Sequence, residues 1–282
     1  MNRLPVGRTI LDAYGFTFAQ LGTIIGLIWF PMVLSTLLNF LPELADGYAG
    51  ASQPVASQVE SLAVTLLTLL LSAIMYVSVA RQALGLRQGA AVFHFALGQP
   101  EFRVYGALLV LYFLFGIAVL VLAEAMSIGG VVSAVAAVLA LPALCLLIYA
   151  AIRIGFLLVP AIVTENRIDF AAVWSLSKGN FWRIFAVVLA IAIPLVLIES
   201  ASIIALMGKD LEAVLPPGQT TDQQVIQQHM LELRDVVHRH MPQLIFISLI
   251  LAPFSIGLTL SAASSAYRAL SGPAKGQRAA AA

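Results

Sequence analysis

Charge is scarce in this chain of 282 residues: Asp, Glu, Lys and Arg make up 10% of it, against 61% hydrophobic residues. A soluble domain carries about 25% charged residues. With a mean hydropathy of +0.97, the chain has too little polar surface to coat a water-soluble globule. The 15 basic and 14 acidic residues nearly cancel, at a net charge of +1, which leaves no electrostatic footprint for nucleic acid. Cysteine is almost absent. Cys145 stands alone, so no intrachain disulfide forms and cysteine usage says nothing of the redox compartment. Enzyme signatures are missing as well: there is no HExxH, no Walker loop, no GxSxG and no acid pair at catalytic spacing. Neither a cofactor nor a metal site is expected.

What the chain does have is long apolar runs. Several exceed the ~18 residues that mark a membrane span. Backbone groups in hydrocarbon must be satisfied within the segment, and the runs are continuous rather than alternating, so helices are expected and a barrel is not. The expected fold is an all-α polytopic membrane protein with six spans at 21–41, 61–84, 104–125, 133–159, 184–207 and 243–267. The first run is too long for a signal-peptide core and lacks a small-x-small site after it, so it is expected to be a retained span. One membrane domain covers 1–270, and 271–282 is expected to be a disordered cytoplasmic tail.

Orientation follows from the basic residues. An inside N-terminus puts 12 of the 15 Lys and Arg inside and leaves Lys209, Arg234 and Arg239 outside. Both termini are then expected to be cytoplasmic. The outer segment 208–242 is the longest polar stretch. Pro216, Pro217 and Gly218 break it, and Ile226, Met230, Leu233, Val237 and Met241 form an amphipathic stripe after the break. A separate helix over 222–240 is expected, lying on the outer leaflet or over the bundle mouth. His229, His238 and His240 share this segment but form no i, i+4 pair, so they read as surface histidines rather than metal ligands.

Three stretches suggest an internal repeat. Phe18 precedes Pro31 by 13 residues, as Phe181 precedes Pro194, and Phe102 precedes Gly116 in a third version. Each stretch has a short half-apolar helix, a Gly-containing break, an aromatic and then a span. The returning spans meet Arg81, Arg153 and Arg268. Three tandem units about an axis along the membrane normal would follow, an arrangement known in transporters.

The stretch around Phe181, "AVWSLSKGNFWRIFAV" at 172–187, holds the densest chemistry. Ala172, Val173 and Leu176 are expected to face the acyl boundary. Trp174, Phe181 and Trp182 are expected as anchors at headgroup depth, and Lys178 and Arg183 as contacts to anionic lipid. Gly179 and Asn180 supply the corner into span five. This run resembles a signature of the membrane domain of glycerophosphoryl diester phosphodiesterases, shared by the related YciC-like bacterial inner-membrane proteins. The stretch from 153 to 173 fits the same pattern of arginine, proline and a short acidic turn. Val173 departs from it, standing where a serine is often seen. The resemblance implies a bacterial inner membrane. It implies no phosphodiesterase activity, because that chemistry belongs to a separate soluble barrel with no counterpart here.

Arg153 has two readings. It snorkels at the inner interface if its span ends near 152, or lies inside the bilayer with a partner if the span runs to 163. Glu124 and Glu199 near outer span ends read as interfacial. Gly22 and Gly26 form a GxxxG, and 261–266 a small-residue face, both fit for close packing in the bundle or between copies. Five prolines, Pro31, Pro142, Pro160, Pro194 and Pro253, fall in or beside spans. The leading functional expectation is a non-enzymatic scaffold or accessory bundle that organises membrane lipids, further copies of itself or other membrane proteins. The alternative is a small transporter or channel.

Overall fold

The computed structural model describes residues 3–46, 54–87, 97–127, 130–214 and 223–272. All its regular elements are helices: α1 (Val6–Ala19), α2 (Leu21–Asp46), α3 (Pro54–Leu84), α4 (Gln99–Ser127), α5 (Gly130–Glu165), α6 (Phe170–Leu176), α7 (Phe181–Val214) and α8 (Gln223–Ser271). Among the described residues, six stretches are long and apolar enough to cross a membrane: Leu21–Phe40, Val59–Leu84, Gln99–Glu124, Val138–Glu165, Phe181–Leu211 and Leu231–Ser271. The chain is an all-α polytopic membrane protein, with α1 and α6 as short helices ahead of spans α2 and α7.

Connectivity puts the end of α3, the start of α4, the end of α5, α6, the start of α7 and the end of α8 at one end of the bundle. Polar contacts tie these ends together. Arg81 of α3 meets Glu101 of α4 at 3.7 Å, Arg103 of α4 donates to the Asn166 carbonyl after α5, and Tyr267 of α8 donates to Glu165 of α5 at 3.1 Å. The core gathers in this same half. Ile24 and Leu27 of α2, Val77 of α3, Val104 of α4, Leu158 of α5, Ile184 of α7 and Ala266 of α8 are all buried. Toward the other end the helices expose apolar side chains, Leu114, Ile117 and Leu120 on α4 and Val196 and Leu197 on α7 among them.

Lipid tails are as apolar as Leu, so helices in a bilayer associate through close packing rather than through exclusion of water. The α1–α8 seam shows how. Thr9, Ala13 and Thr17 are the buried face of α1. Opposite them, Ser261 donates to the Ala13 carbonyl at 3.3 Å and lies 3.5 Å from the Thr17 hydroxyl. One turn earlier, Gly257 presses so close that a Cβ there would stand 2.9 Å from Thr17 Cγ2. The 261–266 face thus packs inside the bundle. Gly22 does not: a Cβ at that position would meet nothing within 4 Å, so this half of the GxxxG stays open.

Several expectations need correction. The span expected at 133–159 is the unbroken α5, which continues through Pro160 to Glu165. The residues after Arg153 stay apolar, and nothing stops the helix before Asn166, whose φ of 52° ends it. The separate outer helix over 222–240 is instead the first part of α8, which passes through Pro242 and Pro253 into the membrane without a break. Near its junction with the span it packs on the extension of α7: Met207 on α7 and Val236 and Met241 on α8 are buried, and Asp210 meets His240. A helix can pass from water to lipid without changing conformation, so a shift in composition does not mark its end. The Pro216–Gly218 break, the tail 273–282 and most of the short helix of the second repeat unit fall outside the described residues.

Candidate functional site

The densest polar construction in the described residues surrounds α6. Asn166 turns the chain out of α5, its N–H still bonded to the Ile162 carbonyl at 2.9 Å. Arg167 bridges Glu165 and Asp169, each at 3.2 Å. Asp169 then caps α6 by accepting from the Ala172 N–H at 2.8 Å, the bond a first-turn amide otherwise lacks. The helix lasts seven residues. Ser177, Lys178 and Gly179 close it, and Gly179 has a φ of 74°, the left-handed region that a side chain disfavours. The Asn180 carbonyl receives the Arg183 and Ile184 amides at 3.0 and 2.9 Å and so starts α7.

Arg153 comes up from α5 beneath this short helix. It is buried at 6% exposure. Its Nε donates to Ser177 Oγ at 3.0 Å, one terminal nitrogen to the Tyr149 hydroxyl at 2.8 Å and the other to the Trp174 carbonyl at 2.6 Å. The Trp174 ring covers the guanidinium, with its centroid 3.8 Å from Cζ. The acceptor carbonyl belongs to the last turn of α6, where orphan carbonyls carry partial negative charge and favour a cation. Ser177 also donates to the same carbonyl at 3.0 Å.

Both readings of Arg153 thus meet in one geometry. Its helix continues to Glu165, so the arginine is no end-of-span residue, and α6 supplies its partners. Arg81 and Arg268, by contrast, lie in the last turns of α3 and α8. The alignment of the three arginines as equivalent repeat positions is therefore corrected for Arg153.

A second clamp lies beside the first. Asn180 Oδ1 accepts from the Leu4 N–H at 3.0 Å, and Arg183 donates to the Leu4 carbonyl at 3.2 Å. Both backbone groups of Leu4 are held, and its side chain is buried at 1%. The N-terminal strand of chain is thereby tied to the start of α7 across 176 residues of sequence.

The structure sorts the sequence-derived residues as follows. Trp174 and Trp182 are exposed at 39% and 75%, and Lys178 is exposed. Arg183 is half-buried; Leu4 engages one of the five N–H groups a guanidinium carries. Val173, expected toward lipid, is buried at 2% in the core and Leu176 packs against it. An apolar residue on an interfacial helix can face lipid or protein, and the sequence does not distinguish them. Around Trp182, Phe181 and Phe185 form an aromatic group that reaches Tyr149 at 4.5 Å from Phe181.

Sequence reasoning passed over Glu101, which is buried at 1%. It accepts from the Gly98 N–H at 3.0 Å and faces Arg81. Its place in the first turn of a helix, next to a proline, was a readable capping signal. It also passed over Asp210 of α7, which meets His240 of α8 at 2.8 Å. His229 pairs with Glu232 at 3.4 Å. Glu124 and Glu199 are exposed.

Chemically, this arrangement fixes helices. The Arg153 and Asn180 groups hold backbone carbonyls and amides in place, and a cleft of about 160 Å³ between α5, α6 and α8, edged by Glu165, Asp169 and Tyr267, lies alongside. No group of three or more His, Cys, Asp or Glu gathers to hold a metal among the described residues. No family model matches this chain, and neither does any curated protein or solved structure.

Proposed function

We propose that this protein is a non-enzymatic membrane scaffold, a bundle whose cytoplasmic edge engages anionic lipid and whose membrane faces receive further copies or other membrane proteins. One observation carries the reading. The interior of the tight half is a continuous apolar cluster running from α1 to α8, and the buried Arg153 and Asn180 at its edge are occupied in holding α6 and Leu4. The basic asymmetry supports cytoplasmic termini. The likeness of 174–183 to the phosphodiesterase membrane-domain and YciC-like signature supports a bacterial inner membrane and a place in that family. Exposed Lys178, Trp174 and Trp182 supply the contacts to headgroups.

The purified chain in liposomes tests this. A scaffold gives no solute flux and no lipid scrambling above empty vesicles, while native mass spectrometry shows retained anionic lipid that Lys178→Gln reduces. Flux that depends on the protein would favour the transporter reading instead. Orientation is checked in a Cys145→Ala background, because Cys145 is exposed. A cysteine at Lys209 is expected to react with an impermeant thiol reagent on intact cells and one at Lys178 is not. The reverse pattern would overturn the topology.

A further inference from the structure

On the face of α5 next to Arg153, a groove of about 460 Å³ opens between α5, α7 and α8. Its walls are apolar, with Phe156, Ile191 and Leu195 among them, and its floor is small, at Ala151, Gly155 and Ala192. A Cβ added at Gly155 would meet nothing within 4 Å, so the floor is open space rather than a packed helix crossing. Three polar side chains also line it: Glu199, Ser255 and Thr259.

Ser255 and Thr259 differ from several hydroxyls elsewhere in the bundle, although buried Ser264 shares their lack of a partner among the described residues. Ser35, Thr36, Thr65, Ser78 and Ser202 all return their hydroxyls to a carbonyl three or four residues back, which is how a hydroxyl is satisfied in a membrane helix. Among the described residues, Ser255 and Thr259 make no such bond, and no cation pairs with Glu199. Glu199 lies within the apolar stretch of α7. An ionisable group in a span is costly and marks a site that expects a partner.

We propose that this groove binds one membrane lipid with an amine headgroup. Its acyl chain lies along Gly155, Ile191 and Leu195. Its ammonium meets the Glu199 carboxylate, and Ser255 and Thr259 are hydrogen-bond positions for its ester oxygens. Charge complementarity selects the occupant: a carboxylate favours a primary ammonium, which donates three hydrogen bonds, over an anionic glycerol headgroup, which it repels. A quaternary choline keeps its charge but has no N–H to donate. The groove does not depend on the scaffold reading, since a transporter could hold the same lipid.

The test uses the full chain in liposomes carrying a photoactivatable acyl chain on phosphatidylethanolamine, phosphatidylcholine or phosphatidylglycerol, with crosslinks mapped by mass spectrometry. Crosslinks within 151–156, 188–199 and 255–259 are expected. Phosphatidylethanolamine is expected to label about tenfold more than phosphatidylglycerol, the factor that 1.4 kcal/mol supplies. Glu199→Gln is expected to erase that preference and keep the crosslink. Gly155→Leu is expected to suppress the crosslink while thermal unfolding stays near that of the parent, and Ala192→Leu provides a second obstruction should the first variant unfold. Equal labelling by the three lipids, labelling spread around the whole perimeter as for annular lipid, or labelling that survives both obstructions in folded protein would overturn the proposal.

Discussion

The guanidinium of Arg153 lies under the ring of Trp174 and donates to that residue's own carbonyl. One residue of α6 thus offers Arg153 both a π face and a helix-end carbonyl, two separate attractions for a cation. The contact joins α5 to α6 across a sequence separation of 21, and α6 in turn sets the position from which α7 starts. A charge in the apolar part of a span, taken alone, suggests transport. Here it has a structural occupation that accounts for its burial.

Replacing Arg153 is expected to be costly even with another cation. Lys presents one point charge and cannot reach Ser177, Tyr149 and Trp174 with the geometry of a planar fork. Arg153→Lys is expected to lose about 2–4 kcal/mol, the range for breaking a buried, charge-assisted network. Ser177→Ala, which removes the acceptor of Arg153 Nε and the donor to the Trp174 carbonyl, is expected to lose about 1–3 kcal/mol. Unfolding in detergent, followed by tryptophan fluorescence, checks both. A Lys variant as stable as the parent would show that charge alone suffices.

Gly179 turns the chain from α6 into α7 with a φ of 74°. A residue with a Cβ there costs roughly 1–2 kcal/mol, and more if it is β-branched. Gly179→Val is expected to lower stability most, Gly179→Ala less, and Gly179→Asn least, since Asn tolerates the left-handed region. Equal effects of Val and Asn in the same unfolding assay would mean that this corner relaxes to another conformation.

The corner at Gly179 was readable because its chemistry is local: a half-polar pattern stops, a Gly-Asn pair follows, and a continuous apolar run begins. The six spans were readable for the same reason, since each is a run of adjacent residues. The partners of Arg153 were not readable. Apart from Tyr149, one turn back on α5, they lie in α6 and at its end, and the only sequence guide was an alignment with Arg81 and Arg268, which end their helices while Arg153 does not. Nor was the inward turn of Val173, because lipid and protein interior make the same demand on a side chain. The continuity of α8 was hidden by the change from a half-polar stripe to a continuous apolar run, which a helix can cross without ending, and Pro242 lies inside it.

Asn180 is expected to govern the N-terminal segment. Its Oδ1 receives the Leu4 amide, so Asn180→Ala removes an acceptor from a buried N–H, whereas Asn180→Asp keeps one. Hydrogen exchange over residues 3–8 is expected to speed up in the Ala variant and to stay slow in the Asp variant. The stability loss for Ala is expected at about 1–3 kcal/mol, the cost of leaving a buried group unpaired. Unchanged exchange in Asn180→Ala would show that burial of Leu4 and the Arg183 contact hold the segment without Asn180.

The α1–α8 seam makes a strict steric demand. A Cβ on Gly257 would stand 2.9 Å from Thr17 Cγ2 and 3.0 Å from Ile24 Cδ1, both closer than side chains in contact normally come. Gly257→Ala raises intrinsic helix propensity by about 1 kcal/mol, yet it is expected to destabilise by about 1–3 kcal/mol because α1 and α2 must move to admit it. Thr17→Ser removes the methyl group nearest to the new Cβ and keeps the hydroxyl that faces Ser261. Combined with Gly257→Ala, it is expected to recover part of the loss, so that the two substitutions are non-additive. Thermal unfolding of the parent, the two single variants and the double variant closes the cycle. Strict additivity would mean that Thr17 does not limit the approach of α8, and that the strain falls on Ile24 instead.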